Sequence, residues 1–248
     1  MKTFFAGRRI LLATLGLLLV FLYFFSLPRE LFQDPYSTVL EDRSGQLLAA
    51  SIARDGQWRF PSSGKVNDKF EKALVTYEDI RFRLHPGVDL LAIGRALRQN
   101  IAQGKIVSGG STLTMQLIRL ARKNPPRNVF QKCLEIILAT RAEIRYSKDE
   151  IIGLYTAHAP FGGNVVGVEA ACWRYFGRNS GDLSWAEAAL LAVLPNNPSL
   201  IHLARNRERL RQKRDGLLSK LYHQNMMDSV SYMLALAEPI PDRPQPTP

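Results

Sequence analysis

Residues 10–27 read ILLATLGLLLVFLYFFSL, an uncharged and almost wholly apolar run, and no other stretch limits the fold so sharply. At about 1.5 Å per residue, a helix of that length just crosses the ~30 Å hydrocarbon layer of a bilayer. Lys2, Arg8 and Arg9 precede the run, and no small-x-small cleavage pattern follows it. The positive-inside rule then predicts a single uncleaved anchor, with residues 1–9 in the cytoplasm and everything after the run on the outer face. The net charge is +11, and only three of those cations lie ahead of the run. A basic exported part suits anionic partners, and the anchor favours lipid-borne ones such as headgroups or diphosphates. Nucleic acid is the poorest candidate, because no stacking aromatics interleave with the cations.

Beyond the anchor the sequence predicts one mainly α domain over 37–241 and a Pro-rich tail, 242–248, with the prolines beginning at Pro239. Two short β-prone segments, 38–40 and 47–49, flank the turn Asp42-Arg43-Ser44-Gly45, so a β-hairpin should follow the anchor, with Asp55-Gly56 marking a further turn. The pattern is helical from Phe70 onward. An amphipathic helix over 89–103 ends at Gly104, and 105–110 is a glycine-bearing loop. A helix capped by Ser111 or Thr112 breaks at Asn124-Pro125-Pro126, and another covers 129–146. Ser147-x-x-Glu150 and Ser184-x-x-Glu187 are capping boxes, and the second run stops at Pro195 to Pro198. Phe161-Gly162-Gly163-Asn164 is a turn, 168–176 a short helix, 205–222 a basic helix with a solvated face, and 228–237 the last helix. Cys133 and Cys172 sit in apolar helical patterns without metal-ligand spacing, which predicts buried free thiols. The four histidines make no metal site, and Ser62-x-x-Lys65 is a chance match to a nucleophile motif.

Chemistry concentrates between Glu78 and Glu135. Phe70, Ala73, Leu74 and Tyr77 form an apolar helical face, so the Glu78 carboxylate should emerge at a helix end beside the core, where partial burial suits a general base. Arg119, Arg122, Lys123 and Arg127 stand between Glu78 and Glu135. Two carboxylates with cations between them fit glycosyl transfer from a phosphate-activated donor. A plain glycosidase needs both carboxylates and has no use for the cations.

The ordered segments E-D-x-x-F-x-x-H-x-G (78–87), G-G-S-T-L-T-x-Q-L (109–117), K-x-x-E (132–135) and S-K-D-E-I-I-x-L-Y (147–155) resemble the motifs of the family 51 peptidoglycan glycosyltransferases, the N-terminal module of class A penicillin-binding proteins. The resemblance covers roughly 38–241, and D-G-Q-W-R-F-P (55–61) and A-P-F-G-G-N (159–164) are most similar to the penicillin-binding protein 1C branch. A transpeptidase domain is not expected within these 248 residues. The resemblance implies a lysozyme-like lobe with a small membrane-embedded jaw. It also implies polymerisation of lipid II into β-1,4 glycan strands, with inversion and release of polyprenyl diphosphate at the outer, periplasmic face of the cytoplasmic membrane. Carried over by position, Glu78 is the catalytic base and Glu135 the second catalytic carboxylate. Asp79, Phe82, His85, Ser111, Thr112, Gln116, Arg119, Lys123 and Lys132 bind or shape the substrate site. No metal ligand is assigned, and a divalent metal (Mg or Mn) is allowed without being required. Lipid II, the growing strand, membrane lipid and other cell-wall synthesis proteins are the implied partners, and nucleic acid is not.

The sequence departs from the family at Met115, Gln131, Gly153, Thr156 and Ala157. Gln131 removes one expected phosphate contact, and the last three thin the polar anchors of one supporting helix. A catalytically weak or inactive lipid II-binding scaffold therefore stays open beside the enzyme, with a lytic transglycosylase or lysozyme-like hydrolase behind both. The enzyme reading predicts that Glu78 and Glu135 face one cleft with Arg119 or Lys132 beside them.

Overall fold

The computed structural model describes residues 2–62, 64–105, 109–126, 128–195, 207–241 and 244–245, with backbone alone over 2–10. The first element is a helix, α1 (Lys2–Phe24). It starts earlier than the apolar run and ends short of Leu27. Phe25 N–H still reaches Phe21 O at 3.1 Å, Ser26 N–H tightens to Tyr23 O at 3.3 Å, and Pro28 has no N–H to continue. Among the described residues no helix is long and apolar enough to cross a membrane.

The end of α1 is gripped by the helix α5 (Val129–Arg145). Tyr23 Oη donates to Thr140 Oγ1 at 3.1 Å and Arg141 Nε to Phe24 O at 3.1 Å, while Arg145 donates to the carbonyls of Pro28 and Arg29. These bonds occupy carbonyls that a helix end and its exit otherwise leave to water.

The predicted hairpin is present: β1 (Thr38–Glu41) pairs antiparallel with β2 (Leu47–Ser51). Its turn is built by the Asp42 carboxylate, which accepts from the Ser44 and Gln46 amides, each at 2.8 Å. A second sheet was not legible in the sequence. Strand β3 (Trp58–Arg59) pairs in parallel with β5 (Val165–Val166), which pairs antiparallel with β4 (Pro160–Gly162) around the expected Gly163-Asn164 turn. Arg59 is buried in this junction, donating to Pro35 O at 2.5 Å and to Asp55 at 3.0 Å.

The body is helical: α2 (Asp68–Glu78), α3 (Leu90–Gln103), α4 (Leu113–Ala121), α5, α6 (Lys148–His158), α7 (Val168–Phe176), α8 (Trp185–Val193), α9 (Arg207–His223) and α10 (Ser229–Ala237). Side chains of Asn67, Asp89, Thr112, Asn128, Ser147, Ser184 and Asp228 cap seven of these starts, and both capping boxes are formed. Residues 186–193 of α8 are all buried, so α8 is the central helix, packed by α2, α9 and α10.

Several expectations are corrected. Cys133 is exposed and only Cys172 is buried; both are free. The basic face of α9 is not wholly solvated: Arg214 is buried, bonded to Asp215 at 2.8 Å and to Glu238 O at 2.6 Å. Two described residues beyond Pro239 are tied to the body: Ile240 is buried and Gln245 N–H donates to Arg174 O at 2.7 Å. The centre of the 105–110 loop, most of the 195–198 stop, Arg127 and Arg205 lie outside the described residues.

Candidate active site

Helix α2 ends on Glu78 because its buried face, Phe70, Ala73, Leu74 and Thr76, is spent one turn earlier against α8. The carboxylate is half-buried and opens into a cleft of about 1170 Å³. Gln116 Nε2, from α4, donates to Glu78 Oε2 at 2.9 Å. Behind Gln116, Tyr155 Oη of α6 donates to Gln116 Oε1 at 3.2 Å. Burial pushes the Tyr155 phenol well above its ordinary value, and the Glu78 charge pushes the same way.

The second glutamate of the cleft has a different setting. Glu135, on α5, is 3% exposed and takes both arms of the Arg119 fork, at 2.6 and 2.7 Å. Lys132 Nζ lies 3.7 Å from Glu135 and also donates to Ser111 Oγ. The bond to Glu135 holds the Arg119 guanidinium still more firmly protonated than usual. This end of the cleft is a neutralised carboxylate presenting two cations. Both oxygens of Glu135 being engaged by Arg119, with Lys132 beside them, it is not a donor set that suits a divalent cation. Among the described residues no group of three or more His, Cys, Asp and Glu could hold a metal.

A polar layer behind the cleft ties its segments together. Asp79 accepts from the Leu113 amide at 3.0 Å and faces His85 Nε2 at 3.0 and 3.1 Å, which places the His85 proton on Nε2. Thr112 Oγ1 donates to Gly87 O at 2.6 Å. A Cβ on Gly87, whose φ is +87°, would sit 2.7 Å from Ala139 O, so only glycine lets this turn touch α5. Lys148 Nζ donates to His85 O at 2.7 Å and Glu143 at 2.8 Å and stands 4.3 Å over the Phe82 ring. Glu143 in turn accepts from Thr114 Oγ1 at 2.5 Å. At the mouth, Arg81 Nε donates to Asp89 at 2.9 Å. Burial pushes Asp89 up, but that bond and the Ala92 amide hold it below the usual carboxylate range.

Of the residues singled out in the sequence, Glu78, Asp79, Ser111, Thr112, Gln116, Arg119, Lys132 and Glu135 line this one cleft. Phe82 and His85 do not line it; they sit in the layer behind. Lys123 is exposed, at φ 57° past the end of α4, and is outside the lining. Gln131 lines the cleft, whereas Met115 is fully buried and Gly153, Thr156 and Ala157 stay out of the lining. A Cβ on Gly153 would meet open space, and α6 reaches the cleft site through Tyr155. Tyr155, Lys148, Glu143 and the cleft-lining Lys220 of α9 and Gln224 just after it were missed. Lys148 follows a capping box visible in the sequence, but its partners are tertiary.

Residues 45–222 match the family described as Transglycosylase. Penicillin-binding protein 1C of Escherichia coli (strain K12) is 38% identical over 214 residues, which is 86% of this chain and 28% of that protein. Penicillin-binding protein 1A of Pseudomonas aeruginosa is 37% identical over 171 residues, 69% of this chain and 21% of that one. Penicillin-binding protein 1F of Bacillus subtilis (strain 168) is 32% identical over 198 residues, 78% and 27%. The chain thus spans between about a fifth and about three-tenths of the length of these relatives.

Proposed function

Since the chain belongs to the transglycosylase family, we propose that its cleft polymerises lipid II into β-1,4 glycan strands as a peptidoglycan glycosyltransferase. The observation that carries this reading is the pairing of Glu78, whose Oε2 accepts from the Gln116 amide, with a Glu135 whose charge is already matched by Arg119 in the same cleft. Glu78 takes the proton from the acceptor sugar 4-hydroxyl as its oxygen attacks C1 of the donor. The C1–oxygen bond to the diphosphate breaks with inversion, and the leaving diphosphate meets Arg119 and Lys132. Glu135 serves by aiming the Arg119 fork. A hydrolase would need that second carboxylate as acid or nucleophile, and here it is engaged.

The same reading makes the 10–27 run the membrane anchor, with the domain on the outer face. Leu84 and the exposed Leu90, Leu91, Leu97 and Ile101 of α3, with Val129 and Phe130 of α5, supply the apolar surface that a membrane-embedded jaw requires. The described part of α1 side chains, 11–24, would span only about 21 Å, so the anchor draws on the flanking residues as well. Detergent-solubilised full-length protein incubated with labelled lipid II should yield glycan polymer. Lipid II binding without polymer would replace the enzyme by a scaffold.

A further inference from the structure

A side-chain amide is nearly symmetric in shape, and the two ways it can be placed beside a carboxylate differ greatly in energy. With Nε2 towards Glu78, Gln116 donates a charge-assisted bond; with Oε1 there, it sets two acceptors against each other. Something must choose between them, and the structure shows what does. Tyr155 Oη lies 3.2 Å from Gln116 Oε1. The phenol is deep in the core, 2% exposed, and is absent from the cleft lining. Burial keeps the phenol protonated, with an O–H to give; in this geometry it donates to Oε1, and the opposite end of the amide is left for Glu78.

We propose that Tyr155 is a positioning residue: from outside the cleft it locks the Gln116 amide so that Nε2–H faces Glu78, and it thereby sets the proton affinity of that carboxylate. The inference rests on the proposed function only for the word base; the lock itself is a property of three side chains. Other ionisable groups surround the site: Asp79 next to Glu78, Asp89 and Arg95 on the α3 wall, Arg119, Lys132 and Glu135 on α4 and α5, and Lys220 on α9. Tyr155 differs from all of them in acting through an amide, and that difference can be measured.

The test follows the Glu78 carboxylate directly, by NMR titration of ¹³C-glutamate-labelled full-length protein in detergent, the Glu78 signal being the one lost in Glu78→Gln. Tyr155→Phe should raise its midpoint by about 0.5 to 1 pH unit, a three- to ten-fold change in proton affinity. The acid limb of the kcat profile should move with it, while KM changes less than about two-fold. In a Gln116→Met background, where there is no amide to orient, Tyr155→Phe should add no shift. Equal shifts in both backgrounds, or none in either, would overturn the lock and leave Tyr155 a core residue. If Tyr155→Phe does not fold, Gln116→Met alone decides: its Glu78 midpoint must rise at least as far, and an unchanged midpoint sinks the proposal. Wild-type protein that titrates as expected but makes no polymer would leave the lock standing and remove the proposed activity. Polymer without coupling would do the reverse.

Discussion

Glu78 and Glu135 line the same cleft, yet their surroundings make different chemical objects of them. At the α2 end the carboxylate is half-buried, held by the neutral Gln116 amide, and has an uncharged phenol behind that amide. At the α5 end the carboxylate is buried under a two-armed guanidinium with a second cation beside it. The first accepts a hydrogen bond from an uncharged amide. At the second, an incoming proton would have to displace Arg119. Environment, not residue type, therefore separates a proton acceptor from a charged scaffold.

The largest effect should come from Glu78→Gln, which keeps shape and a hydrogen bond but removes the base. Polymerisation should fall by roughly two to four orders of magnitude while lipid II binding survives. Equal loss of binding and turnover would make Glu78 structural and erase the contrast. Next, Glu135→Gln leaves Arg119 without its counter-charge. Turnover should drop about 10²-fold through loss of an aimed cation. Thermal melting should also show a loss on the order of 2 kcal/mol, less than for a fully buried pair because Arg119 is partly exposed. Glu78→Gln should leave melting nearly unchanged, so calorimetry on the two variants sharpens the comparison.

A smaller change should follow Gln131→Arg, which adds a cation to the α5 end only. A charge-assisted bond to phosphate is worth about 1.5–3 kcal/mol, so donor affinity or turnover should rise roughly ten-fold or somewhat more. No gain over an active wild type would mean that Arg119 and Lys132 already satisfy the diphosphate.

A last effect lies outside the cleft and guards the interpretation of any acid limb. His158 is buried against the Phe32 ring, 3.7 Å between centroids. Burial, with Arg59 nearby, lowers its pKa from 6.5 to about 4. The unfolded chain therefore binds this proton first as pH falls. Stability should be full above about pH 6.5 and decline steadily towards pH 4, where the loss levels off. His158→Gln should flatten that part of a Tm-versus-pH curve without moving the Glu78 titration.

The helices were legible because their starts are local chemistry. Thr112, Ser147 and Ser184 each announce a cap, and each is one. The two-residue strands were not, since Trp58 and Val165 meet across more than a hundred residues and neither carries a periodic signal. In the site, motif order identified which side chains gather, but not which of them touch. That His85 belongs behind the cleft, that Lys123 turns away from it, and that Tyr155 governs Gln116 all depend on how α2, α4 and α6 pack, which spacing along one chain does not encode.

The junction between α1 and α5 has a consequence for how this sequence can change. Arg141 and Arg145 hold the segment after α1 largely through the main-chain oxygens of Phe24, Pro28 and Arg29. Every amino acid carries such an oxygen, so these hydrogen bonds are blind to spelling at 24, 28 and 29; side-chain identity enters through Arg141 over the Phe24 ring, Leu27 against the core and the missing N–H of Pro28. The two arginines enjoy no such freedom, and neither does the segment's length. One inserted residue would present the wrong oxygens and turn the whole domain about its stem.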